Sequence, residues 1–70
     1  MVRYIVASDT FYVNHVQGDF INLLNEGSPD PEYYHFSQLA SATKIADKIN
    51  SEGDTEELGV FKVIPVNIEI

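Results

Sequence analysis

Apolar and polar positions along the first part of the chain fall into three short runs. Residues 2–8 (VRYIVAS), 11–16 (FYVNHV) and 20–24 (FINLL) are rich in β-branched and aromatic side chains, the composition of strands. In the first run Val2, Tyr4 and Val6 fall on one face and Arg3, Ile5 and Ala7 on the other. In the second, Phe11, Val13 and His15 oppose Tyr12, Asn14 and Val16. Ser8-Asp9-Thr10 supplies turn chemistry between them, and Gln17-Gly18-Asp19 ends the second run, Gly18 being able to take the positive φ of a hairpin turn. The third run is too short for its periodicity to separate strand from helix, and its place after a hairpin turn decides for strand. The pattern predicts a three-stranded meander.

A break in patterning follows. Asn25 to Glu32 (NEGSPDPE) holds two prolines and a glycine, which remove backbone donors and push the preceding residues out of helical space. Tyr33-Tyr34-His35-Phe36 is expected as a brief extended piece behind this loop. Ser37 is the expected helix N-cap, and from Gln38 to about Asn50 the apolar residues Leu39, Ala42, Ile45, Ala46 and Ile49 recur at intervals of three and four. Those five residues predict one narrow stripe that packs on the sheet. Ser51 to Gly59 (SEGDTEELG) is a polar loop, and residues 60–70 (VFKVIPVNIEI) are the last strand, in which Pro65 must lie at an edge, an unpaired position or a bulge.

These elements predict an α+β fold: a small antiparallel sheet, made of the meander plus the C-terminal strand, with one amphipathic helix packed on one face. All of residues 1–70 fit one domain. One helix covers only one side of a sheet, whereas the first and last strands are apolar on both. The uncovered side is therefore expected to pair with a second copy as a homodimer, to serve as a docking surface for another partner, or to stay partly exposed.

Composition narrows the function. There is no cysteine, which excludes disulfides, thiolate metal sites and cysteine nucleophiles. His15 and His35 are the only histidines and stand at no recognised ligand spacing, so no metal and no cofactor is expected. Ser8, Ser28, Ser37, Ser41 and Ser51 lie in turn, cap or helix-surface contexts, with no nucleophile elbow. The four glycines are too dispersed to cradle a phosphate. A chain this short is expected to be too small to enclose a pocket of roughly 300 Å³ and still keep a core. An enzyme is not expected. Eleven acidic residues against four basic ones leave a net charge of −7, which excludes direct nucleic-acid binding by phosphate neutralisation and disfavours anionic membranes. No apolar run approaches the roughly 18 residues of a membrane span, and the opening stretch lacks the apolar core of a secretion signal, so a cytoplasmic protein is the expectation.

Seven of the acids, Glu26, Asp30 and Glu32 before the helix and Glu52, Asp54, Glu56 and Glu57 after it, lie in two loops without a basic residue. They form either a solvated surface or a negative surface that docks on a basic protein partner, as a nucleic-acid mimic does. A helix of about 13 residues would hold the two loops roughly 20 Å apart, as separate clusters. Tyr4, Tyr12, Tyr33 and Tyr34 are a second candidate set, since tyrosine joins a large rigid contact area to a polar tip.

The opening RYIVASDTFYVNHV hairpin, the FSQLASATKIADKIN helix and the closing FKVIPVNIEI strand resemble the layout of small uncharacterised proteins encoded by phages and prophages of Gram-positive bacteria. In size, acidity and lack of a catalytic motif the chain is similar to anti-CRISPR and other counter-defence proteins. That resemblance implies an inhibitor of a host nucleic-acid-handling or defence complex, acting in the host cytoplasm. The alternatives are a homo-oligomeric accessory protein whose acidity only keeps it soluble, and a small-ligand binder or enzyme.

Overall fold

The computed structural model describes residues 1–68. Along them run β1 (Val2–Ala7), β2 (Phe11–Gln17), β3 (Phe20–Asn25), α1 (Leu39–Glu52), α2 (Thr55–Leu58) and β4 (Lys62–Asn67). The strands make one antiparallel sheet in the order β3-β2-β1-β4. The fold is α+β, a small antiparallel sheet with one main helix. Gly18 turns the β2–β3 hairpin at a φ of 59°, a conformation open to glycine at little cost.

The sheet is split along its middle. β1 and β2 meet only at Ala7 and Tyr12, and the 34–36 segment is wedged into the gap beyond. Tyr4 and Phe36 exchange backbone hydrogen bonds of 2.9 and 2.8 Å, and the Tyr34 N–H donates to the Val13 carbonyl at 2.9 Å. Buried strand edges must find partners, and here the expected extended piece supplies them. Because both polar groups of Tyr4 point to Phe36, its opposite neighbour Pro65 faces β1 without a ladder bond. The missing Pro65 N–H therefore lies on the outer edge of β4.

Three boundaries differ from the sequence expectation. Ser37 is not the helix cap: α1 begins at Leu39 behind an uncapped Gln38 and runs on to Glu52. The 51–59 stretch is not all loop, since Asp54 accepts from the Glu56 N–H at 3.0 Å and starts α2, which ends at Gly59 with φ 83°. The last strand starts at Lys62 rather than Val60, because the Asn50 side chain takes both backbone groups of Phe61, at 2.8 and 3.0 Å, before the ladder begins. Its expected extension over 69–70 lies outside the described residues.

On the helix side Ala42, Ala46 and Ile49 pack with Val6, Val13, Phe36 and Phe61. Two alanines bring the helix backbone close to the sheet, and the two phenylalanines fill its flanks. The expected five-residue stripe is shorter: Leu39 is 53% exposed and Ile45 half-buried. A register shift between Val13 and His15 inserts one residue into β2 and carries Val16 to the core side with Val13, where simple alternation had put it opposite.

The far side of β1 is not left bare. Ile5, Ala7 and Tyr12 are buried away from the helix, Tyr12 to 1% exposure. Residues 26–33 fold over this side. The Glu32 N–H donates to the Tyr12 hydroxyl, Asn14 Nδ2 donates to the Glu32 carbonyl at 2.8 Å, and the Tyr33 ring lies 4.7 Å from that of Tyr12. Thus the second half of β1, from Ile5 to Ala7, is buried within one chain, while Val2 at its start stays exposed. The large apolar side chains left exposed on the sheet include Phe20 and Leu24 of β3 and Ile64 of β4.

Candidate functional site

The second acidic loop and the start of the first are both tied to the β1–β2 turn. The Ser8 Oγ accepts from the Phe11 N–H at 3.0 Å and donates to the Leu58 carbonyl at 2.6 Å, so the β1–β2 turn is tied to α2. On its other side the Glu26 N–H donates to the Thr10 carbonyl at 2.8 Å. Asp9, exposed at the tip of that turn, stands between Glu26 and the acids of the second loop. Glu52, Asp54, Glu56 and Glu57 are all exposed. Of the first loop's acids only Glu26, where the chain leaves β3, is tied to this end of the molecule, whereas Glu32 is held over Tyr12 and Asn14. Helix length separates residue 38 from residue 51, but the first loop leaves the sheet at the end of β3. Antiparallel pairing puts that end beside the β1–β2 turn and the helix C-terminus. Lys62, opposite Ala7, is the base at this end.

The other candidates have different fates. Asp30 is exposed in the loop, and Glu32 is exposed over the Tyr12–Asn14 stretch, away from the turn. Glu26 is half-buried and already engaged: its Oε1 accepts from the Tyr33 hydroxyl at 2.5 Å, while Oε2 is buried without a partner. That hydrogen bond to a carboxylate, helped by burial, pushes the Tyr33 hydroxyl up to about 12. Glu26 is a structural acid more than a docking one. The four tyrosines do not share an exposed face. Tyr12 and Tyr33 pack together under the loop, whereas Tyr34 packs edge-on against Phe36, 4.8 Å away, and Tyr4 joins it on the helix side.

A concavity open to solvent on one side lies beside the core. A cleft of about 340 Å³ opens between α1 and the β2–β3 turn. Val16, Phe36 and Ile45 line it with apolar surface, Tyr34 walls it, and Lys44 and Lys48 rim it. It was not legible in the chain, because Val16 reaches that side only through the shift in β2. Among the described residues, no group of three His, Asp or Glu could hold a metal ion. No helix among them is long and apolar enough to cross a membrane. Compared with protein families, curated proteins and solved structures, the chain matches none of them.

Proposed function

We propose that this protein is a non-catalytic, acidic protein-binding module whose acid end docks on a basic, nucleic-acid-binding surface of a partner. In the setting that the sequence resemblance implies, it acts in the host cytoplasm as a phage-encoded inhibitor of a host nucleic-acid-handling or defence complex. The observation that carries the reading is the Ser8–Leu58 hydrogen bond, which ties the turn bearing exposed Asp9 to α2 with its exposed Asp54, Glu56 and Glu57. Like charges gathered on one part of the surface raise the rate of encounter with a positive surface, and salt weakens that attraction. The test is capture from a bacterial lysate by the native chain and by a variant with Asp9→Asn, Asp54→Asn, Glu56→Gln and Glu57→Gln. A nucleic-acid-binding protein held at low salt, released at high salt, displaced by duplex DNA and ignored by the variant supports the proposal. Equal capture by both chains, or no specific capture, defeats it.

A second reading, a homo-oligomeric accessory protein, draws on β3. That edge strand contains no charged residue and no proline, and it exposes Phe20 and Leu24, so it lacks the usual devices that keep edges apart. Sedimentation separates the two, since a chain that stays monomeric at hundreds of micromolar retains only the first.

A further inference from the structure

We propose that the cleft between α1 and the β2–β3 turn binds a small aromatic carboxylate. Two of the chain's four basic residues, Lys44 and Lys48, stand at this one concavity. Behind them lie Val16, Phe36 and Ile45, with the Tyr34 ring along one side, so the site pairs cationic donors with an apolar and aromatic interior. Ser41 adds a hydroxyl at the rim. A volume of about 340 Å³ suits one or two fused rings, at the small end of ligand sites. A carboxylate already stands at the mouth: Asp19 lies 3.7 Å from Lys48, fully exposed to solvent. An exposed pair of that length holds weakly, so a ligand carboxylate that also buries its ring can take the place of Asp19.

The net charge of −7 opposes an anion only if it reaches the cleft. The acid end lies at the start of β2 and the cleft at its end, six residue steps away or about 20 Å. The screening length is about 8 Å at physiological salt, so the acids of the far end are screened. The local carboxylates are Asp19, the weakly held partner of Lys48, and Asp47, exposed beside Lys44 on α1. The site is separate from the acid end, and its test does not depend on that proposal.

The experiment follows amide shifts of isotope-labelled protein titrated with 2-naphthoate, its neutral isostere 2-naphthamide, and inorganic phosphate. Saturable shifts are expected at Gly18, Asp19, Ser41, Lys44, Ile45 and Lys48 with naphthoate. Affinity should fall about tenfold or more for the amide, for phosphate and for the Lys44→Gln/Lys48→Gln variant. Asp19→Asn, which frees Lys48, should tighten binding. The lysines are not buried, so the variants should keep the native melting curve, which is measured alongside. Naphthamide binding as well as naphthoate, shifts scattered over the surface, or no saturation would each overturn the proposal.

Discussion

The Tyr33 hydroxyl and the Glu26 carboxylate fasten the two ends of the 26–33 loop, and the ring between them covers Tyr12. Removing the hydroxyl leaves a half-buried carboxylate with no partner on either oxygen, so Tyr33→Phe should lower stability by about 1–2 kcal/mol in a denaturant titration. The pH dependence has a definite sign. The folded Tyr33 value is raised to about 12 from an ordinary 10, so its contribution is complete below pH 10 and is lost as pH rises toward 12. Tyrosinate absorbance should show one late-titrating tyrosine that is missing in Tyr33→Phe. A native Tyr33 that ionises near 10 would mean that the loop is not clamped. Nothing in the sequence pairs Glu26 with Tyr33, because two residues seven apart in a proline loop meet only when both loop ends are tied to the same sheet.

Among the elements, α1 was legible and its buried face was read one turn too long. Ile49 lies in the core and Leu39 mostly in water, so Ile49→Ala should cost about 2–5 kcal/mol and Leu39→Ala less than about 0.5 kcal/mol. Equal losses at the two positions would show that the helix sits on the sheet in another register. The periodicity of the chain marks both residues alike, since it records which side of a helix is apolar and not where the sheet ends beneath it. Asp54-Thr55-Glu56-Glu57-Leu58-Gly59 did carry a cap, acids in the first turn and a terminal glycine, and could have been read as a short helix. At the opposite edge, Pro65 withholds the central outward donor of β4. Pro65→Val restores a β-forming residue with an N–H there, and concentration-dependent association in sedimentation should rise above that of the native chain. Unchanged sedimentation would assign the protection of this edge to something other than the proline.

For the whole molecule, charge is distributed unevenly from end to end, with an excess of acids around the β1–β2 turn, where Lys62 is the base, and two lysines beside Asp19 near the β2–β3 turn. Neutralising Asp9, Asp54, Glu56 and Glu57 should slow association with a confirmed basic partner about tenfold or more and flatten its salt dependence. Stopped-flow rates over a salt series measure both. Asparagine at 54 keeps the α2 cap, so the fold should hold. Asp30→Asn with Glu32→Gln is the like-charged control away from the turn and should leave the rate nearly unchanged. Glu26 is unsuitable for either set, being part of the Tyr33 clamp. If both sets act equally, net charge and not the acid end governs docking.

By itself the sequence determined the strand runs, a hairpin turn around Gly18, the existence of α1 and the α+β class. These rest on local physics: side-chain period, turn conformations and the missing N–H of proline act within a few residues. Tertiary structure alone decided how the loops close. Tyr4 and Val13 leave backbone groups that only the 34–36 segment can reach, so that segment enters the sheet and draws residues 26–33 over Tyr12. The same closure covers the second half of β1 on its other face and sets Glu26 against Tyr33. The shift in β2 is decided there too, and it turns Val16 into the lining of the cleft. The acid end follows from antiparallel pairing, which brings the end of β3 and the end of α1 to one turn although 27 positions separate Asn25 from Glu52 along the chain. A linear pattern records which residues avoid water, whereas satisfying every buried backbone group is a condition on the whole chain at once.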